Sequence, residues 1–182
     1  MIGLRALGAS EKCRLGYNAA VWPMDAEMTF NSPSYNRYFE DYTEGDIHRL
    51  GTITVEADEI ITFAKRFDPQ VIHTNPEAAK QGPYGGLIAS GLHTAGLMMR
   101  LYAEHYLPKA ASLGSPGFDE LRWLEPVRPG DILSVNVTVL KATPSKSKPD
   151  RGAVTSSIDV FNQADELVMT LTCVNIIARR PT

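Results

Sequence analysis

Alternation of apolar and polar residues in the C-terminal third of the chain limits its fold more than any other feature of the sequence. Residues 133–139 alternate strictly, and the segments 154–161 and 167–174 repeat the pattern. This alternation is typical of strands that are buried on one face. Turn-forming residues at 144–152 and 162–166 separate the three segments, so we predict an antiparallel meander.

One long apolar helix is predicted upstream of these strands. It opens at Gly85-Gly86 and repeats apolar residues at three- and four-residue steps as far as Tyr102. A second helical stripe covers Ala57–Phe67, and Pro69 follows its end. Because the long helix needs an apolar face to cover, we predict an α+β fold in which a strongly curved antiparallel sheet wraps around one central helix.

Composition fits one globular domain with an irregular N-terminal extension. The 182 residues are 43% hydrophobic and 21% charged, which is enough apolar surface for one sizeable core. No sustained periodicity is present before residue 38. We therefore predict an extension over residues 1–37 and a folded domain over residues 38–182.

The charge and cysteine content exclude several classes of partner. With 18 basic and 21 acidic residues the formal net charge is −3, which argues against nucleic acid. The two cysteines give neither a disulfide framework nor a metal-ligand spacing, so we expect no metal. No apolar stretch is long enough for a membrane span, and the N-terminus lacks the apolar region of a secretory signal. We expect a cytoplasmic protein without a membrane partner.

Asp68 and His73 form the most informative short motif. A carboxylate and an imidazole five positions apart, in a loop after a helix, could hold one water and move protons at neutral pH. The spacing alone is also common in proteins where it has no role. The glycines at 85, 86 and 91 would let a carbonyl oxygen approach free N–H groups at the start of the long helix. They could equally serve to pack the helix tightly against the sheet.

Two blocks of the sequence resemble the MaoC-like dehydratase family, the hot-dog-fold (R)-specific enoyl-CoA hydratases. The first contains Asp68-x4-His73 and the run from Tyr84 to Gly91, and the second spans residues 119–131. The resemblance implies a hot-dog fold, a catalytic pair formed by Asp68 and His73, and a thioester carbonyl bound by the Gly91 N–H. It also implies that the Tyr84 ring lines the substrate pocket.

The same resemblance also implies that Gly86 and Ser90 contact the substrate. This sequence departs from the family pattern at several positions. The Asn-Pro that is common between the catalytic pair is here Gln70-Val71. Ser90 stands where a histidine is frequent, and Met99 stands where some members place a serine near the catalytic aspartate.

The activity implied by the resemblance is reversible addition of water across the double bond of a trans-2-enoyl-CoA, giving a 3-hydroxyacyl-CoA. Coenzyme A is then part of the substrate, no separate cofactor is expected, and a homodimer or higher homo-oligomer is implied. Which member of the pair acts as base is left open. An acyl-CoA thioesterase and a non-catalytic acyl-CoA-binding subunit are the alternatives.

The remaining histidines, Cys173 and one basic segment are also candidates for functional residues. His93 contacts substrate, packs in the core or lies at the surface. His48 and His105 are expected to be exposed. Cys173 is expected to be a small buried apolar group. The basic segment 146–151 is either a solvated hairpin tip or a contact for the phosphates of coenzyme A.

Overall fold

One antiparallel sheet and one long helix organise the part of the chain that the computed structural model describes, residues 30–181. The strands are β1 (Ile47–Thr54), β2 (Gly117–Trp123), β3 (Ile132–Pro144), β4 (Arg151–Phe161) and β5 (Leu167–Ala178). The helices are α1 (Ala57–Phe67), α2 (Val71–Thr74), α3 (Pro76–Lys80) and α4 (Gly91–Leu101). Two 3₁₀ turns (Ser34–Asn36 and Phe39–Asp41) precede β1, and a π-helical turn (Tyr102–Tyr106) extends α4.

The strand order is β1-β3-β4-β5-β2, and every neighbouring pair is antiparallel. The predicted meander of β3, β4 and β5 is confirmed. Alternate residues of β4 are buried along its whole length, so one face of the sheet turns towards the core. The edge strand β2 pairs with β5 alone among the described strands.

Helix α4 supplies the other side of the core. Leu97, Met98 and Leu101 point from it into a single cluster with sheet residues such as Val135 and Ile158. Each fully buried side chain of this size contributes about 1.5–3 kcal/mol of transfer free energy. The predicted α+β architecture, a curved antiparallel sheet around one central helix, is confirmed.

The predicted start of this helix at Gly85-Gly86 is wrong, because α4 begins at Gly91. Residues 87–90 are buried but not helical. Here the Ile88 N–H donates to the Ile72 carbonyl at 3.2 Å, and the Ala89 N–H donates to the Val127 carbonyl at 2.8 Å. These bonds to neighbouring segments replace the helical ladder, although the apolar residues continue the helical period.

His48 is buried rather than exposed as predicted. Its ring lies 3.9 Å from the ring of Phe30 in a parallel stack, and the Arg37 guanidinium lies 3.4 Å from the Phe30 centroid on this aromatic group. The last residues of the predicted extension thus pack on the domain, whereas residues 1–29, including Trp22, lie outside the described part.

His105 is exposed and Cys173 is buried, as predicted. Within residues 30–181, no helix is both long and apolar enough to cross a membrane.

Candidate active site

The end of α1 and the short helix α2 bring the predicted pair together. Helix α1 ends at Phe67, and the Asp68 N–H still donates to the Ala64 carbonyl at 2.9 Å, which fixes the first residue beyond the helix. His73 lies in α2, where its ring is turned back towards Asp68. Asp68 Oδ2 and His73 Nε2 are 3.5 Å apart.

The hydrogen bond of His73 to the backbone fixes which ring nitrogen is free. Nδ1 lies 2.8 Å from the carbonyl oxygen of Ile88, which can only accept, so Nδ1–H is the donor. In the neutral ring, Nε2 then carries the lone pair and faces the carboxylate of Asp68. The side chain is 7% exposed, which holds the ring in this orientation.

Both oxygens of the Asp68 carboxylate accept a hydrogen bond. Gln70 Nε2 donates to Oδ1 at 2.7 Å, and Ser90 Oγ donates to Oδ2 at 2.7 Å. These bonds, first that of Gln70 and then that of Ser90, lower the pKa of Asp68 below its ordinary value, against a smaller opposing effect of burial. The carboxylate is therefore ionised at neutral pH.

The pair presents two acceptors side by side. A direct N–H···O bond would require protonated Nε2 and a shorter separation than 3.5 Å. A water between the two groups could instead donate one O–H to Asp68 Oδ2 and the other to His73 Nε2. The geometry is thus suited to orienting and deprotonating a water molecule.

The N-terminus of α4 lies beside this pair. Ser90, the residue that precedes the helix, is hydrogen-bonded to Asp68, and Gly91 is the first helical residue. The first helical bond runs from the Thr94 N–H to the Ser90 carbonyl at 3.0 Å. The N–H groups of residues 91–93 therefore precede the helical ladder, at the positive end of the helix dipole. Such groups can stabilise an oxygen that becomes negative during a reaction.

Trp123 is a residue of this region that the sequence analysis did not single out. Its indole N–H donates to the Gly91 carbonyl at 2.9 Å, so the end of β2 is tied to the first residue of α4. A Cβ at Gly91 would lie 2.7 Å from Cδ2 and Nε1 of the indole and closer still to Cε2. Only glycine fits here without a shift. The signal in the sequence was the position of Trp123 inside the second block of the resemblance.

Tyr84 and Gly86 lie in the loop before residue 87. Arg128 Nη2 donates to the Tyr84 carbonyl at 2.8 Å, and Nη1 of the same guanidinium would lie 3.6 Å from a Cβ at Gly86. The Tyr84 side chain is exposed. The structure thus brings Asp68, His73 and Ser90 into contact, with Gly91 next in the chain, and the Tyr84 carbonyl accepts from Arg128. That the Tyr84 ring lines the substrate pocket stays a prediction.

His93 packs between α1 and α4. Its Nε2 lies 3.9 Å from Glu59 Oε1, its ring centroid lies 5.1 Å from that of Phe63, and burial lowers the pKa of the imidazole. The basic segment forms the tip of the β3–β4 hairpin, where Asp150 pairs with Arg151 at 2.8 Å.

A cavity of about 250 Å³ lies towards the other end of α4, beside β2 and β5. Neither Asp68 nor His73 lines it. Its lining comprises Met99, Tyr102, Leu107, Ser112, Gly114, Ser115, Gly117, Phe118, Cys173 and Asn175. Among the described residues, no group of three or more potential ligands could hold a metal ion.

Comparison with known proteins identifies the family and the fold. Residues 40–160 match the family described as "MaoC like domain". The MaoC-like dehydratase from Rhodospirillum rubrum has 45% sequence identity to this chain, and its crystal structure superposes with a TM-score of 0.74. The alignment covers 80% of this chain and 99% of that protein. The 3-hydroxybutyryl-CoA dehydratase of Methylorubrum extorquens is 31% identical over 133 residues, which are 72% of this chain and 78% of the relative.

A protein from Mycobacterium tuberculosis with a double hot-dog fold shares the fold alone, at 14% identity and a TM-score of 0.71 over 82% of this chain and 46% of its own. The architecture is that of a hot-dog protein. The match over residues 40–160 further shows that the chain belongs to the MaoC-like hydratase/dehydratase family. At the level of the family, it is a hydro-lyase.

Proposed function

We propose that the chain catalyses reversible addition of water across the double bond of a trans-2-enoyl-CoA, giving a 3-hydroxyacyl-CoA. The observation that carries the proposal is the pair of acceptors, Asp68 Oδ2 and His73 Nε2, 3.5 Å apart beside the N-terminus of α4. Relatives named 3-hydroxyacyl-thioester dehydratase and 3-hydroxybutyryl-CoA dehydratase support the choice of substrate class.

In the proposed reaction, a water held by the pair attacks the β-carbon of the enoyl thioester. One water proton leaves as the new C–O bond forms, and negative charge moves to the thioester oxygen. The Gly91 N–H and the dipole of α4 stabilise that charge. Return of the proton to the α-carbon completes hydration, and the reverse sequence is dehydration.

His73 is the proton acceptor in this mechanism. Its Nδ1–H donates to the Ile88 carbonyl, so Nε2 is the basic nitrogen. The lowered pKa of Asp68 makes the carboxylate a weak base, whereas an imidazole is the more basic of the two group types. Asp68 orients the water and stabilises the imidazolium that forms.

We infer that the functional unit is a homodimer joined along β2. This strand forms an edge of the sheet and exposes Phe118 and Trp123, with exposed fractions of 40% and 50%. Unpaired apolar edges are prone to aggregation unless another strand covers them. A second copy pairing its own β2 would cover the edge next to Gly91.

The test of the activity offers a short trans-2-enoyl-CoA and follows the conjugated thioester absorbance together with free thiol. Loss of absorbance without thiol is expected. Thiol release would indicate a thioesterase, and binding with neither change would indicate a binding subunit. Either result overturns the proposal.

The test of the site replaces each member of the pair. Asp68→Asn and His73→Gln should each lower kcat by about 10²- to 10⁴-fold, because each removes one of the two groups that orient and deprotonate the water. Asp58→Asn and His105→Gln make the same changes at exposed positions outside the site and should retain activity. Retained turnover in both site variants would refute this assignment.

The test of the dimer is sedimentation at fixed protein concentration. Sedimentation equilibrium should give the wild type a molar mass of twice the 20.0 kDa of one chain. Phe118→Lys should give 20.0 kDa, because it places a charge on the edge that the second copy would cover. Leu140→Lys, an exposed apolar position on β3, should leave the dimer intact. A wild-type monomer would contradict the inference.

A further inference from the structure

The hydroxyl of Ser90 does not cap the helix whose N-cap position the residue occupies. Ser90 is the N-cap residue of α4, and serines at this position usually accept a hydrogen bond from an N–H of the first helical turn. No such bond forms. The side chain is 1% exposed, and its Oγ donates instead to Asp68 Oδ2 at 2.7 Å.

This bond falls on the oxygen that faces His73. Oδ2 is the carboxylate atom 3.5 Å from His73 Nε2, whereas Gln70 donates to the opposite oxygen, Oδ1. The Gln70 bond lies at the surface, while the Ser90 bond is partly buried. Rotation of the carboxylate away from His73 would therefore disturb both bonds, of which the Ser90 bond is the one on the oxygen facing the imidazole.

Because the hydroxyl is engaged with Asp68, the start of α4 has no side-chain cap. The N–H groups of residues 91–93 are left for another acceptor. A single side chain thus stabilises the carboxylate and leaves the adjacent helix terminus open.

We propose that Ser90 is a positioning residue, which holds Oδ2 of Asp68 opposite Nε2 of His73 and, by not capping α4, leaves the first-turn N–H groups to the substrate. The proposal rests on the proposed hydration activity and adds to it the residue that keeps the pair aligned. It gives Ser90 a role through Asp68 rather than in direct contact with the thioester.

The kinetic test compares Ser90→Ala with two matched variants. Ser90→Ala should lower kcat by about 10²-fold with little change in KM, because the reacting oxygen loses its alignment. Ser90→Thr keeps the hydroxyl and should recover most of kcat. Thr94→Val removes a buried hydroxyl one turn further along α4, which donates to the Ser90 carbonyl at 3.4 Å, and should retain wild-type kcat. Thermal unfolding followed by circular dichroism verifies that every variant is folded.

A second measurement reads the Ser90–Asp68 bond without using activity. The carboxyl carbon of Asp68 is titrated by ¹³C NMR, with Asp68→Asn providing the assignment. Loss of a donor to the carboxylate raises its pKa, so Ser90→Ala and Gln70→Ala should both move the titration to higher pH. The loss of kcat in Ser90→Ala should exceed that in Gln70→Ala, because only Ser90 donates to the oxygen that faces His73.

The two measurements separate the possible failures. A wild-type chain without hydration activity overturns the proposed function, and the NMR titration still decides whether Ser90 holds Asp68. An unchanged titration in Ser90→Ala overturns the bond. A changed titration with wild-type kcat overturns the positioning role in an active enzyme.

Discussion

Replacement of Gly91 by alanine tests whether the start of α4 is built around Trp123. The added Cβ would lie 2.7 Å from Cδ2 and Nε1 of the indole, well inside van der Waals contact. Overpacking of this kind costs about 1–3 kcal/mol of unfolding free energy. We therefore expect Gly91→Ala to destabilise the protein by this amount.

Gly96 provides the matched control in the same helix. A Cβ at this exposed position would meet no atom within 4 Å. Gly96→Ala should therefore gain up to about 1 kcal/mol from helix propensity. The two alanine variants should differ by about 2–4 kcal/mol in urea unfolding at fixed protein concentration. Equal stabilities would refute the close contact between Gly91 and the indole.

A double-mutant cycle then decides what the glycine is for. In a Trp123→Ala background the contact is absent, so Gly91→Ala should cost less than about 0.5 kcal/mol there. Activity of the double variant discriminates between the two interpretations that the sequence leaves open. We expect it to stay below that of Trp123→Ala alone, because a side chain at position 91 leaves less room for an oxygen to approach the N–H. Recovery of hydration would show that the glycine serves only to admit Trp123.

Three further changes have outcomes that the structure sets. Gly152→Ala should destabilise the fold by about 1–3 kcal/mol in urea unfolding, because its Cβ would lie 2.6 Å from Phe39 Cζ and closer to two other ring atoms. Tyr102→Phe removes the hydroxyl that accepts from Asn175 Nδ2 at 2.5 Å and should cost about 1–3 kcal/mol in the same assay, because the buried amide then keeps only the weak acceptor Cys173 Sγ at 3.6 Å. Asp68 has a lowered pKa in the folded protein, so its contribution to stability is complete above the unfolded pKa of about 3.9 and is lost as pH falls through the folded value. Unfolding free energy measured between pH 6 and pH 2.5 should therefore fall more steeply for the wild type than for Asp68→Asn.

Local pattern was sufficient for much of this fold. The helical pattern over Ala57–Phe67 predicted the bounds of α1 correctly. Alternation located β3 and β4 because burial alternates along them, and it located β5 although residues 168–171 are buried on both faces of that strand. The Asp68-x4-His73 spacing also located a pair that the structure brings within 3.5 Å. In each case the signal depends on residues close in sequence.

The parts that the sequence did not reveal depend on contacts between distant segments. The apolar run after Gly86 keeps a helical period, yet bonds to Ile72 and Val127 hold residues 87–90 out of the helix. His48 is buried because Phe30, from the predicted extension, covers its ring. Period and composition carry no information about partners of this kind, so pattern alone placed the start of α4 too early.

Energetics explain why the Ser90 hydroxyl turns to Asp68 rather than to its own helix. An N-cap bond from serine is worth about 1 kcal/mol, because it pairs two neutral groups at a helix end. A hydrogen bond to an ionised carboxylate is worth about 1.5–3 kcal/mol. The preference therefore depends on the charge of Asp68, which the bond itself sustains by lowering the pKa. The helix end gives up the weaker bond, and its free N–H groups lie beside the carboxylate that a water-adding site requires.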